Sequence, residues 1–279
     1  MSDTPNEPAQ SFASVHVENQ VAEVVMRATG KASRMGPAFW NEMPALFAWL
    51  DAAEHVRAIV LRGEGDAFSH GLDLGGMGAD LGALMMPGGA AAERTKLYET
   101  ITRMQRAITC VASCRKPVIA AIHGWCIGGG VDLATACDVR VCAADAKFSV
   151  REVRLAMVAD VGTLARLPAI IGEGATRELA FTGDDIDAPR ALRLGLVTEV
   201  LETNEALLAH ARAMAARIAA NPPLVVQGVK QVLNARSERV AEDSLRTVAM
   251  WNAAFLPSHD LGEAMAAFVQ RRPPAFKGR

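Results

Sequence analysis

Residues 116–138, "KPVIAAIHGWCIGGGVDLATACD", constrain the fold more than any other stretch of the chain. "PVIAAIHG" is a short apolar run closed by glycine, which reads as a buried strand. Gly128, Gly129 and Gly130 follow, and "GGGVDLATACD" opens a helix. A helix start presents unsatisfied N–H groups and the positive end of its dipole. Glycine lets a ligand approach that backbone closely, so the turn suits an anion or a developing oxyanion. Close helix–strand packing alone is the competing reading. Two nucleotide-binding patterns fail on spacing: G-x-G-x-x-G meets Cys126 and Leu133 where glycine is needed, and a phosphate-loop lysine is replaced by Gly130.

Other segments give a mixed strand and helix part. "ASVHVEN" and "QVAEVVMR" read as two strands joined by a tight turn at Glu18-Asn19. "GPAFWNEMPALFAWLDAAE" has helical periodicity with Pro37 near its start, and "VRAIVLRGEG" is a second buried strand. The glycine-rich stretch from Phe68 to Glu93 is expected to be a mobile loop with short helical pieces, and residues 92–113 a helix. "VRVCAA" and "KFSV" read as short strands. Beyond residue 161 short helices dominate, with one strand at "GLVTEVL". Helices are expected over 204–220, 223–236, 238–255 and 259–270.

Three acids stand out. Asp132 follows the glycines, and Glu152 and Asp160 lie eight residues apart in the mostly apolar "REVRLAMVADVGTL". Structural roles for them are a helix cap for Asp132, an interhelical salt bridge for Glu152 and an N-cap of the next helix for Asp160. Chemistry is the alternative. Arg154 suits a salt bridge with a nearby acid, and Asp138 suits a tie at the start of the following strand.

Twenty-nine basic against 31 acidic residues give a net charge of −2, which argues against a nucleic-acid partner but leaves room for a local phosphate-binding patch. The five cysteines include no C-x-x-C pair and read as buried reduced thiols, not as a disulfide framework or a zinc site. No membrane span is expected, since no run of 18 apolar residues occurs. The polar start "MSDTPNEPAQSF" and the end "FKGR" carry no recognised address, so a cytoplasmic location is expected.

Five blocks in order resemble the enoyl-CoA hydratase/isomerase, or crotonase, superfamily: "FSHGLDL", "KPVIAAIHGWCIGGGVDLATACDVRVCAADAKFSV", "REVRLAMVADVGTLARLPAIIG", "AFTGDDIDAPRALRLGLVTEV" and "SHDLGEAMAAFVQRRPPAFKG". The resemblance implies an α/β fold: a disordered stretch over 1–11, a spiral of β-β-α units over 12–200 bearing the active site, and a helical oligomerisation region over 201–279. It also implies a homotrimer or a dimer of trimers (a homohexamer), an acyl-CoA thioester substrate, and neither metal nor redox cofactor.

Carried over by position, Leu72 and Gly129 would donate the backbone N–H groups of an oxyanion hole. Asp132 and Glu152 stand where hydratases carry two catalytic glutamates, and Asp160 stands where they have glycine. An acid at all three positions is similar to the Δ3,5-Δ2,4-dienoyl-CoA isomerase branch. That reaction removes a proton at C2 and returns one at C6, which asks for a base and a separate acid. Glu152 is then the base, Asp160 the acid, and Asp132 tunes them. Lys31, Ala32, Ser33 and Arg34, then Ser69, His70, Asp73 and Leu74, and in the tail Phe268 and Lys277, fall at positions implied to touch coenzyme A. Ser33 replaces a common asparagine, His70 a small residue, and Trp125 a small residue beside the acyl pocket. A 2-enoyl-CoA hydratase (a lyase) is the alternative activity. A catalytically silent acyl-CoA-binding or RNA-binding scaffold is the alternative of another class.

Overall fold

The computed structural model describes residues 7–78, 82 and 90–278. Alternation of apolar and polar residues makes β1 (Ala13–Glu18) and β2 (Val21–Met26) an antiparallel hairpin. Its turn is centred on Asn19 and Gln20, at φ 49° and 68°, one residue later than the sequence suggests. The ladder runs on to the pair Glu18–Val21, which leaves only those two residues to turn with the strand twist. Short β3 (Ala28–Thr29) and β4 (Ala32–Ser33) form a second hairpin before α1 (Pro37–Ala52).

From there each turn of the chain repeats one pattern. A strand enters the main sheet, a short extended piece enters a second sheet, and a helix returns. β5 (Ala58–Gly63) is followed by an extended bridge at Ser69 and then α2 (Ala91–Ser113). β6 (Val118–Ile122) is followed by β7 (Trp125–Ile127) and α3 (Gly129–Ala136). β8 (Val139–Ala143) is followed by β9 (Lys147–Ser149), a 3-10 turn at Glu152–Leu155 and α4 (Thr163–Ile171). Next come α5 (Glu173–Thr182), β10 (Asp185–Asp187), α6 (Ala188–Leu194) and β11 (Glu199–Leu201). The main sheet has the order β1-β2-β5-β6-β8-β11, and its pairs after the first hairpin are parallel. The second sheet, β10-β9-β7, is built from three-residue strands too short to announce themselves by alternation.

Four helices follow at the bounds expected to within a residue: α7 (Asn204–Ala219), α8 (Pro223–Ala235), α9 (Glu238–Phe255) and α10 (His259–Gln270). α7 packs Leu207, Ala211, Ala215 and Ala219 against Ala58, Val60, Ile119, Ala121 and Val141 on one face of the main sheet. The other face carries Ile59, Leu61, Ala120 and Ile122 into the larger core with α1 and α2. α9 packs on α2 and α4. Residues 1–6, and residues 79–81 and 83–89 of the expected mobile loop, lie outside the described residues. Ser11 is anchored by its N–H to Glu42 at 2.6 Å.

α8 is held to the core by one buried cation. Lys230 Nζ donates to Asp138 Oδ2 at 2.7 Å and to the Lys116 carbonyl at 3.0 Å. Asp138 ties the start of β6, accepting the Val118 N–H at 2.7 Å, and not the strand that follows it in sequence. Lys230→Met keeps the stem but leaves Asp138 unpaired. We expect it to destabilise the fold by ~3 kcal/mol in denaturant titration, whereas substitution of the exposed Lys96 should be neutral.

Candidate active site

The glycine run and the turn after β5 meet backbone to backbone. Ser69 is zipped to β7, donating to the Trp125 carbonyl and accepting from the Ile127 N–H, each at 3.0 Å. Gly71 follows at φ 73°, where a Cβ would lie 2.6 Å from the Ile127 oxygen and 3.0 Å from the Gly129 nitrogen. Only glycine fits that crossing. Met35 then clamps the segment: its N–H donates to the Gly71 carbonyl at 2.8 Å, and its carbonyl accepts the Asp73 N–H at 3.1 Å. Leu72 is therefore left with an unused N–H. The Gly129 N–H, in the first turn of α3, is likewise without an acceptor among the described residues. The Leu72 nitrogen lies 3.7 Å from where a Cβ on Gly129 would stand, so two free donors flank one small space.

Glu152 enters that space from the 3-10 turn after β9. Its carboxyl oxygen Oε1 lies 3.1 Å from where a Cβ on Gly128 would stand, and Oε2 is buried without a hydrogen-bond partner among the described residues. Asp132, 1% exposed on α3, accepts the Thr163 N–H on Oδ1 at 2.5 Å, and its Oδ2 has no hydrogen-bond partner among the described residues. Asp132 thus caps α4, the role the sequence offered to Asp160. The helix begins at Thr163 after Gly162, and the Asp160 side chain turns elsewhere: its Oδ2 accepts from Asn252 Nδ2 at 2.7 Å. Among the described residues Glu152 makes no interhelical salt bridge, and Arg154 pairs with Asp184 at 2.8 Å.

Three carboxyls in a low-dielectric site disfavour one another's charge. Burial pushes Asp132 up to about 6, opposed by its bonds to Thr163 and by Arg166. Burial, then Asp132 and Asp160, push Glu152 up to about 8. Burial, with Asp132 adding to it, pushes Asp160 up to about 7, opposed by Asn252. Groups of this kind exchange protons near neutrality.

A cleft of about 740 Å³ opens onto the site. Arg34, His70, Leu72, Asp73, Leu74, Gly129, Glu152 and Phe268 line it, as the sequence suggests. Arg34 has no ion-pair partner among the described residues, and burial, Arg34 and Arg151 lower the pKa of His70. Ala32, Ser33 and Ser69 are buried behind the wall as scaffold; the Ser33 carbonyl accepts the His70 N–H at 2.9 Å. Lys31 and Lys277 are exposed and off the cleft wall, the latter bonded through its N–H to Asp260. Asp132 and Asp160 are not among the residues that line the cleft. Trp125 lies in strand β7 and lines the cleft, with Lys147 and Arg151 each 5.2 Å from its ring centre. Sequence reasoning missed Leu155, Met157 and Arg272 on the wall, and Gln105 and Asn252 behind Asp160. Asn252 left a signal, for it falls on the buried stripe Leu245, Ala249, Asn252, Ala253 of α9.

The family model described as enoyl-CoA hydratase/isomerase matches residues 16–279. The Δ3,5-Δ2,4-dienoyl-CoA isomerase of Dictyostelium discoideum, named as mitochondrial, is 42% identical over 261 residues, 92% of this chain and 87% of that protein. The isomerase of the same name from Arabidopsis thaliana, named as peroxisomal, is 40% identical over 94% of each chain. A solved structure titled putative enoyl-CoA hydratase, from Streptomyces coelicolor, superposes with TM-score 0.76 at 30% identity over 100% of this chain and 98% of its own. The cytoplasmic expectation is overturned by the organellar relatives. It rested on missing address signals, and a missing signal does not specify a compartment.

An acid whose folded pKa lies above its unfolded value binds more protons when folded. Its contribution is fully present below the unfolded value and is lost as pH rises toward the folded one. For Glu152 that window runs from 4.5 to about 8. The native protein should lose melting temperature across this range, while Glu152→Gln should flatten the loss and melt higher at pH 8. Parallel melting profiles for the two proteins would refute a strained carboxyl cluster.

Proposed function

The chain belongs to the enoyl-CoA hydratase/isomerase family, and from that footing we propose that it converts 3,5-dienoyl-CoA thioesters to 2,4-dienoyl-CoA in unsaturated fatty-acid oxidation. The relatives named for this reaction support the reading. Within the molecule one observation carries it: a third carboxyl, Asp160, joins Asp132 and Glu152, with only its Oδ2 held by the Asn252 side chain. Hydration would need two acids around one water at C3; a 1,5 proton shift needs a base at C2 and a separate acid at C6.

With pKa values pushed up to about 8 for Glu152 and about 7 for Asp160, the protonation state with Glu152 ionised and Asp160 neutral is the minor, reactive one, and in it Glu152 takes the C2 proton. The electrons move onto the thioester oxygen, held as a dienolate by the Leu72 and Gly129 N–H groups. Neutral Asp160 returns a proton to C6, and the double bonds settle at C2 and C4. Glu152 is then protonated and Asp160 charged, and one proton passing from Glu152 to Asp160 restores the start. Asp132 holds α4 in register and, adding its charge to the larger effect of burial, keeps both partners titrating near neutrality. Each step is a proton transfer, so neither metal nor redox cofactor is required.

Arg34, which lines the cleft together with Phe268 and Arg272, is the cation suited to the coenzyme A phosphates. The substrate is an acyl-CoA, not a nucleic acid. Among the described residues no helix is long and apolar enough to cross a membrane. α8 and α9 expose Leu224, Val225, Val232, Met250, Trp251 and Phe255, which supports assembly as a homotrimer or a dimer of trimers. Light scattering should give three or six times 29.6 kDa, and a monomer would contradict the assembly.

Given 3,5-octadienoyl-CoA and a 2-enoyl-CoA separately, the protein should raise dienoyl absorbance with the first and hydrate the second poorly. Fast hydration without dienoyl conversion would identify a hydratase, and binding without turnover a silent scaffold. Asp160→Asn should slow isomerisation ~10²–10⁴-fold while C2 proton exchange with solvent continues. Glu152→Gln should abolish both. Unchanged isomerisation in Asp160→Asn would remove it from the chemistry.

A further inference from the structure

We infer that Asn252 is a positioning residue that fixes which oxygen of Asp160 carries the transferable proton. The inference rests on Asp160 being the distal acid. Asn252 is 2% exposed on α9, and its Nδ2 donates to the Val158 carbonyl at 2.8 Å and to Asp160 Oδ2 at 2.7 Å. A backbone carbonyl only accepts, so the face of the carboxamide turned toward Val158 must be its NH2. Both protons of that group are thereby committed, and a flipped amide would set two acceptors against each other. Asn252 is a fixed donor.

The consequence falls on Asp160. A proton on Oδ2 would oppose the incoming N–H, so the neutral acid holds its proton on Oδ1, the oxygen turned away from Asn252. Gln105 completes the clamp from α2. Its Nε2 donates to the Asp160 carbonyl at 2.7 Å and to the Leu245 carbonyl of α9 at 2.9 Å. Backbone and side chain of the acid are thus held by two carboxamides from two helices. The charged groups that bear on Asp160 are Asp132 and Glu152, with Arg166 acting from behind Asp132. An uncharged donor is the one partner that can orient Asp160 without holding it ionised.

The test uses the whole enzyme with 3,5-octadienoyl-CoA in heavy water, following isomerisation, deuterium uptake at C2, the pH dependence of kcat, and melting. Asn252→Leu removes the donor, and Asn252→Asp keeps the shape but offers an acceptor at neutral pH. In whichever folds, kcat should fall about 10- to 100-fold from misplacing the reacting group, with KM and C2 exchange within about twofold of native. In Asn252→Leu the alkaline limb of kcat should also move to higher pH, because the lost donor favoured the charged form of Asp160. A lowered melting temperature with kcat and the alkaline limb unmoved would overturn the assignment, leaving Asn252 as packing alone. Loss of C2 exchange together with isomerisation would also overturn it, since the damage would then reach Glu152. Both outcomes are read against Asp160→Asn. If that variant is itself fully active, the distal-acid reading has failed, and with it the ground for this one.

Discussion

The bond from the Thr163 N–H to Asp132 Oδ1 joins the two halves of the site. Asp132 belongs to the helix whose first turn offers the Gly129 donor. Thr163 opens the helix that comes directly after Asp160. One buried carboxylate oxygen therefore sets the distance between the place where an oxyanion is held and the place where a proton is delivered. The remainder of the site is arranged about that pair: Glu152 arrives from β9 beside Gly128, and Met35 clamps Leu72 opposite.

Such an arrangement opposes stability. Hydrophobic burial favours keeping Asp132, Glu152 and Asp160 neutral, whereas the chemistry needs one of them charged. The fold tolerates this because the surrounding core is large and the strain is confined to a few groups. Gly71 and Gly128 add a second local demand, since both take left-handed backbone so that main chain can cross main chain. Function and fold compete for the same residues here, and function prevails at the end of a strand where sheet hydrogen bonding has already finished.

Much of this was legible in the sequence. The four C-terminal helices declared themselves through period and through breaks such as "NPP", because amphipathic helices leave a regular trace over many residues. β7 and β10 left none, being three residues long and defined by partners distant in sequence. The three acids were found because carboxyls in apolar segments demand an account. Their hydrogen bonds were not, since a cap can come from another helix: Asp160 precedes α4 in sequence, yet Asp132 reaches its first N–H across space. The clamp from Asn252 and Gln105 escaped notice for the same reason.

The packing of α7 bears on how the chain is made. The face of the main sheet formed by Ala58, Val60, Ile119 and Ala121 is covered by Leu207, Ala211, Ala215 and Ala219. A ribosome releases those strands long before it releases their cover. Through most of synthesis the nascent chain carries an apolar sheet surface with nothing of its own to lay against it, a condition that invites aggregation. The helix that completes the sheet is also the one whose emergence ends that exposure, so the order of translation places the hazard before the remedy. Chaperone demand should accordingly be greatest while residues 144–203 are being added.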